Sequence, residues 1–115
     1  MSDHREYISE VAARYTEAAR ETWADDDVRM DNIAYDVDVF TGAGGRWRVE
    51  LLLAGGGPTA VVTVDSRYEA AEFFYSWGKD RGEMDCKTWE LYGPDAEFWR
   101  EVAEFFVDIS GWDHR

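Results

Sequence analysis

A chain of 115 residues with 25 acidic and 12 basic side chains carries a formal net charge of −13. That excess argues against a nucleic-acid or anionic-membrane surface, whose own charge would repel it, and favours basic partners. The one cysteine, Cys86, excludes an internal disulfide, and no apolar run approaches the ~20 residues of a membrane span.

The length suits one domain over 1–115, large enough to bury a core without staples. The start, MSDHREYISE, is polar and carries both signs of charge, unlike a secretory leader. With a lone cysteine, this gives the expectation of a soluble protein of the cytoplasm. The acidic balance also has a plain alternative in solubility or adaptation to a salty cytoplasm.

Ser2 can cap a helix, and Ile8, Val11, Ala12, Tyr15, Ala19 and Trp23 recur at helical spacing. They predict a helix from about Asp3 to Ala24 with one apolar stripe. Glu6, Glu10, Arg14, Glu17, Arg20 and Glu21 form its solvated face. Asp25, Asp26 and Asp27 then end it, against the helix dipole. Three consecutive Asp raise the question of a cation site, but the alternating spacing and central glycine of a calcium loop are missing. No metal and no cofactor are expected.

Ile33, Tyr35, Val37 and Val39 alternate with Asp36 and Asp38, predicting a first strand with an acidic outer face. The loop 41–45 (TGAGG) lacks both the GxGxxG pattern and the lysine of a phosphate-binding loop, so it reads as a hairpin connection. Trp47, Val49, Leu51 and Leu53 alternate with Arg46, Arg48, Glu50 and Leu52 in a second strand. Gly55, Gly56, Gly57 and Pro58 break it, with glycines suited to positive φ. TAVVTVD, 59–65, is β-branched and should pair back antiparallel. Tyr68 to Trp77 predicts a fourth strand with Phe73, Tyr75 and Trp77 on one face. A shorter strand from Glu83 to Leu91 carries Met84, Cys86 and Trp89. Gly93 and Pro94 open a second helix with an apolar stripe of Phe98, Val102, Phe105, Phe106 and Ile109, closed by Gly111.

The expected fold is therefore α+β. An antiparallel four- to five-stranded meander is covered on one face by an N-terminal and a C-terminal helix. The uncovered face would carry Asp36, Asp38, Arg46, Arg48, Glu50 and Glu72.

No catalytic motif emerges. His4 and His114 lie near the termini, and nucleophile elbows, paired CxxC sites and HExxH are missing. The expectation is a protein that is not an enzyme. Charge carries the functional reading instead. Glu97, Glu101, Glu104 and Asp108 follow i, i+4, i+7, i+11 and share a helix face. The row runs ~16 Å at ~1.5 Å per residue. Each DNA strand presents one phosphate charge per ~3.4 Å. Such a face can imitate a phosphate backbone towards a basic groove; an ordinary solvated face is the alternative. Asp25, Asp26, Asp27, Asp36 and Asp38 are further candidates for partner contact. So is an aromatic face around Tyr75 and Trp77, since large aromatics dominate interface hot spots.

The run Glu50-Leu-Leu-Leu-Ala-Gly-Gly-Gly-Pro58, then Ala71-Glu72, Tyr75 and Trp77-Gly78, resembles small proteins of phages and mobile elements. These share a strand, a GGP turn, another strand, and an acidic–aromatic strand ending in Trp beside a turn. The resemblance spans 50–78 and does not extend to the helices. It implies an anti-CRISPR-like or anti-restriction-like inhibitor, and the glycine turn brings no active site with it. The expected partner is a basic protein surface of a nucleic-acid-binding host defence complex or nuclease, with no direct nucleic-acid binding and no membrane. An immunity protein against a nuclease toxin is one rival reading. A small ligand-binding or enzymatic α+β domain is the other; it requires a deep pocket with convergent polar groups.

Overall fold

The structure, a computed structural model, describes residues 4–25, 32–55, 59–78 and 84–109, with the backbone alone for 4–7, 77–78 and 84–86. Helix α1 (His4–Trp23) leads into five strands, β1 (Asp36–Thr41), β2 (Trp47–Ala54), β3 (Thr59–Asp65), β4 (Ala71–Gly78) and β5 (Met84–Leu91). Helix α2 (Gly93–Ile109) follows. The strands form one antiparallel sheet in the order β1-β2-β3-β4-β5. This is the α+β meander between two helices that the alternating pattern predicts.

Period-two alternation makes one face of the sheet continuous. Val37, Leu51, Val62, Phe73 and Trp89 stand opposite one another across all five strands. Val49 and Leu51 on β2, Ala60, Val62 and Val64 on β3, and Ala71, Phe73 and Tyr75 on β4 are all buried. Both helices lie on this face. Helix α1 runs over β5 and reaches β4, where Tyr15 meets Phe73 at 5.7 Å and Tyr75 at 6.4 Å between ring centres. Helix α2 covers β1 to β4. Where the helices meet, the Trp99 indole Nε1 donates to Thr16 Oγ1 at 3.0 Å, and Trp23 packs edge-on to Phe105 at 5.2 Å.

Four local expectations shift. The first strand begins at Asp36, because the chain bends over 33–35. Ile33 is buried there, while the Tyr35 side chain is 81 % exposed, although its N–H still donates to the Leu52 carbonyl at 2.8 Å. The fourth strand begins at Ala71, since a turn intervenes in which Tyr68 N–H closes on the Asp65 carbonyl at 3.1 Å. In α2 the buried stripe is Ala96, Trp99, Val102, Ala103, Phe106 and Val107. Phe98 and Phe105 flank it towards α1, and Ile109 is 51 % exposed. A register shift at Leu52/Ala54 inserts Leu53 as an extra residue, which packs on the core.

Of the glycines expected to take positive φ, Gly55 does not, and 56 and 57 lie outside the described residues, as do Ser2, Pro58 and Gly111. Positive φ occurs in the β1–β2 loop at Gly44 (75°) and Gly45 (78°), and before Pro94 at Gly93 (64°). A β-branched residue resists such φ values. Gly45→Val is expected to cost about 1–3 kcal/mol. Gly42→Val, at φ −143° with open space around it, is expected to cost far less. Equal melting temperatures for the two variants would refute the assignment.

Candidate functional site

Successive residues on a helix turn by ~100°. On α2, Trp99, Ala103 and Phe106 therefore mark the centre of the face on the sheet. Glu97, Glu101, Glu104 and Asp108 fall within ~60° of one another on the opposite side. All four are exposed. The structure thus brings these four together as a ridge on the outer crest of the molecule. Neighbours ~6 Å apart repel by only about 0.7 kcal/mol in water. The buried face outweighs that easily, so the ridge is compatible with a stable helix.

Two members of the ridge are tethered. Trp23 Nε1 donates to Glu101 Oε2 at 3.1 Å, and Arg100 Nε lies 3.6 Å from Glu104 Oε2. Glu97 and Asp108 have no ion-pair partner among the described residues. Asp25 is exposed at the end of α1, two residues beyond Trp23. Asp26 and Asp27 lie outside the described residues.

Asp36 and Asp38 do not join the ridge. They are exposed on the other face of the sheet. There the register aligns Asp38, Glu50, Thr63, Glu72 and Glu90 in one row across the five strands. Glu90 was missing from the sequence reading, although the alternation of buried Leu91 and half-buried Trp89 around it carries that signal. The aromatic proposal is also corrected in part. Tyr75 is 8 % exposed and stacks on Phe73 at 6.1 Å under Tyr15, so it belongs to the core. The side chain of Trp77 lies outside the described residues.

Arg100 plays a part that its position in the helix does not announce. Its guanidinium keeps Nε beside Glu104 while Nη1 and Nη2 donate to the carbonyls of Tyr68 (2.9 Å) and Ser66 (3.1 Å). It also stacks over Trp47 at 5.5 Å. The same corner is closed by Ser66 N–H to the Trp47 carbonyl at 2.9 Å and by Trp47 N–H to Ser66 Oγ at 3.0 Å. One cation therefore fastens the β3–β4 turn to α2 while remaining beside Glu104 at the edge of the ridge.

In that turn, Arg67 donates twice to the Asp65 carboxylate, at 3.1 Å from both Nε and Nη2, and its backbone N–H adds a third bond at 2.9 Å. The side-chain hydrogen bond from Arg67 is the main cause holding the Asp65 carboxyl below its ordinary 3.8. A carboxyl lowered on folding stabilises the fold above its unfolded pKa, and the contribution is lost as pH falls through the folded value. Asp65→Asn is therefore expected to be less stable than the parent from pH 5 to 8. The gap should close as pH drops below about 4. A gap that stays constant down to pH 2 in urea melts would rule out this linkage.

Two clefts of about 570 Å³ flank the segment 67–69. The one on the open sheet face is walled by Arg48, Arg67, Tyr68 and Tyr92 over Glu72 and Glu90. The Tyr92 hydroxyl donates to Glu90 at 2.9 Å. Among the described residues, no three His, Cys, Asp or Glu side chains gather as a metal cage. Among the same residues, no helix is long and apolar enough to cross a membrane.

The fold and these surfaces define a two-layer α+β domain with acidic groups on both outer faces. Comparison with protein-family models, curated proteins and solved structures finds no match.

Proposed function

We propose that this protein is a non-enzymatic acidic inhibitor, encoded by a phage or mobile element, that blocks a nucleic-acid-binding defence complex in the manner of an anti-CRISPR. The carrying observation is the α2 ridge. Its carboxylates from Glu97 to Asp108 stand opposite the buried stripe, and the helix's one cation, Arg100, sits at the edge of the row, shared between Glu104 and the carbonyls of the turn below. A basic channel that holds a nucleic-acid backbone would meet here a stiff row of negative charge ~16 Å long. Carboxylates in such a groove act chiefly on encounter rate and partner choice. The protein would act in the cytoplasm of the host cell.

The test takes purified RNA-guided CRISPR effectors and restriction nucleases as candidate targets. The protein should compete with duplex DNA for one of them while causing no gel shift of duplex DNA by itself at micromolar concentration. Neutralising the ridge with Glu97→Gln, Glu101→Gln, Glu104→Gln and Asp108→Asn together should slow association at least ten-fold and flatten its salt dependence. The melting temperature should hold or rise slightly as i, i+4 repulsion is relieved. Inhibition and salt slope equal to the parent's would remove the ridge from the mechanism.

A further inference from the structure

The open face of the sheet is ordered in a way that the α2 ridge does not use. Leu52, Val61 and Phe74 stand side by side on β2, β3 and β4. Each is only half-buried, and none of them packs against the core that the helices cover. On one side of this apolar row lies the acidic row Asp38, Glu50, Thr63, Glu72 and Glu90. On the other side Thr59 pairs with Ser76, which is buried, and the apolar row itself ends at Asp36, paired with Leu52. Within the acidic row, Glu50 is 3.5 Å from Arg48 and Glu90 accepts from Tyr92. Asp38 and Glu72 have no ion-pair partner among the described residues.

We infer that this face is the docking surface for a basic amphipathic helix of a partner protein. The spacings match. Leu52 to Phe74 spans two interstrand steps, ~10 Å. Apolar residues at i, i+4 and i+7 of a helix span ~10.5 Å. The acidic row runs four interstrand steps, ~19 Å, the length of ~13 helical residues. It lies two residues along the strands from the apolar row, ~7 Å, within reach of Lys and Arg stems laid over the sheet. The acids line one flank and, through Asp36 paired with Leu52, one end of the apolar row, so the partner helix should be basic along that flank and at the end that meets β1. Charge selects this occupant. A second copy would set the same carboxylates against themselves, and a nucleic acid would set phosphates against them. The inference stands apart from the proposed action of α2, because the two surfaces lie on opposite sides of the molecule.

The test uses a 14-residue amphipathic Leu/Lys peptide and a scrambled peptide of the same composition as probes, with amide shifts followed by NMR. The amphipathic peptide should bind at least ten-fold tighter than the scrambled one, with shifts centred on Leu52, Val61, Thr63 and Phe74. Leu52→Ser with Phe74→Ser should reduce it to the level of the scrambled peptide. Should that pair fail to fold, Val61→Thr, which keeps the volume, should weaken the amphipathic peptide alone. Replacing Glu50, Glu72 and Glu90 by Gln should weaken it several-fold at low salt and leave α2 unaffected. Equal binding of the two peptides, or shifts that fall on α2, would overturn the proposal; in the second case the α2 reading would still hold.

Discussion

Trp99→Ala should cost about 3–5 kcal/mol, the range for emptying a buried aromatic site. Few domains hold more than ~5–15 kcal/mol in total. The melting temperature should fall by on the order of 15 °C or more. Trp99 is fully buried and bridges the two helices, and its indole N–H has Thr16 as acceptor. Thr16, itself 2 % exposed, was not part of the apolar stripe read for α1. Thr16→Val keeps the volume but strands a buried donor, at about 1–3 kcal/mol. Trp99→Phe removes the donor. The double variant should therefore be more stable than the sum of the singles implies, since the Val then faces no orphaned N–H. Strict additivity in urea melts would show that the hydrogen bond contributes nothing.

Arg100→Ala should cost about 2 kcal/mol, given two charge-assisted hydrogen bonds and a ring contact at a half-buried site. Arg100→Lys should recover little of this. A lysine ammonium lacks the planar fork that reaches both carbonyls while lying on Trp47. The loss should be local, so hydrogen exchange at 66–68 and at the start of β2 should accelerate more than in β3 and β4. Recovery of full stability by lysine would mean that charge alone holds the corner. Arg100→Ala also frees Glu104 from its 3.6 Å partner and makes the ridge more negative, whereas Arg100→Lys keeps the charge beside Glu104. If the ridge contacts a basic target, Arg100→Lys should leave inhibition intact even as stability falls.

Most of the architecture was legible in residue order. Alternation in WRVELLL and TAVVTVD assigns inner and outer sides because side chains on a strand point to opposite faces in turn. The positions buried in β2 and β3 are the ones the pattern selects. The acidic ridge was legible for the same kind of reason, since spacings of three and four residues define a helix face without tertiary information. Periodicity weakens at element ends and where several stripes are possible. Phe98, Phe105 and Ile109 look as apolar as Trp99, and only the position of α1 beside α2 decides which side is covered.

What the sequence determined by itself is local: the element order, the two faces of each element and a charge of −13. Tertiary structure decided what those faces meet. Register, set by the hairpins and by the extra residue at Leu53, lines up Asp38, Glu50, Glu72 and Glu90 from four strands. Packing put Tyr75 under Tyr15 and drew Arg100 into the β3–β4 turn. It also placed Asp36 and Asp38 on the side of the sheet away from α2. The physical reason is that alternation specifies which residues share a face, whereas the helices cover only one face of the sheet, and which face that is depends on contacts between residues distant in the chain.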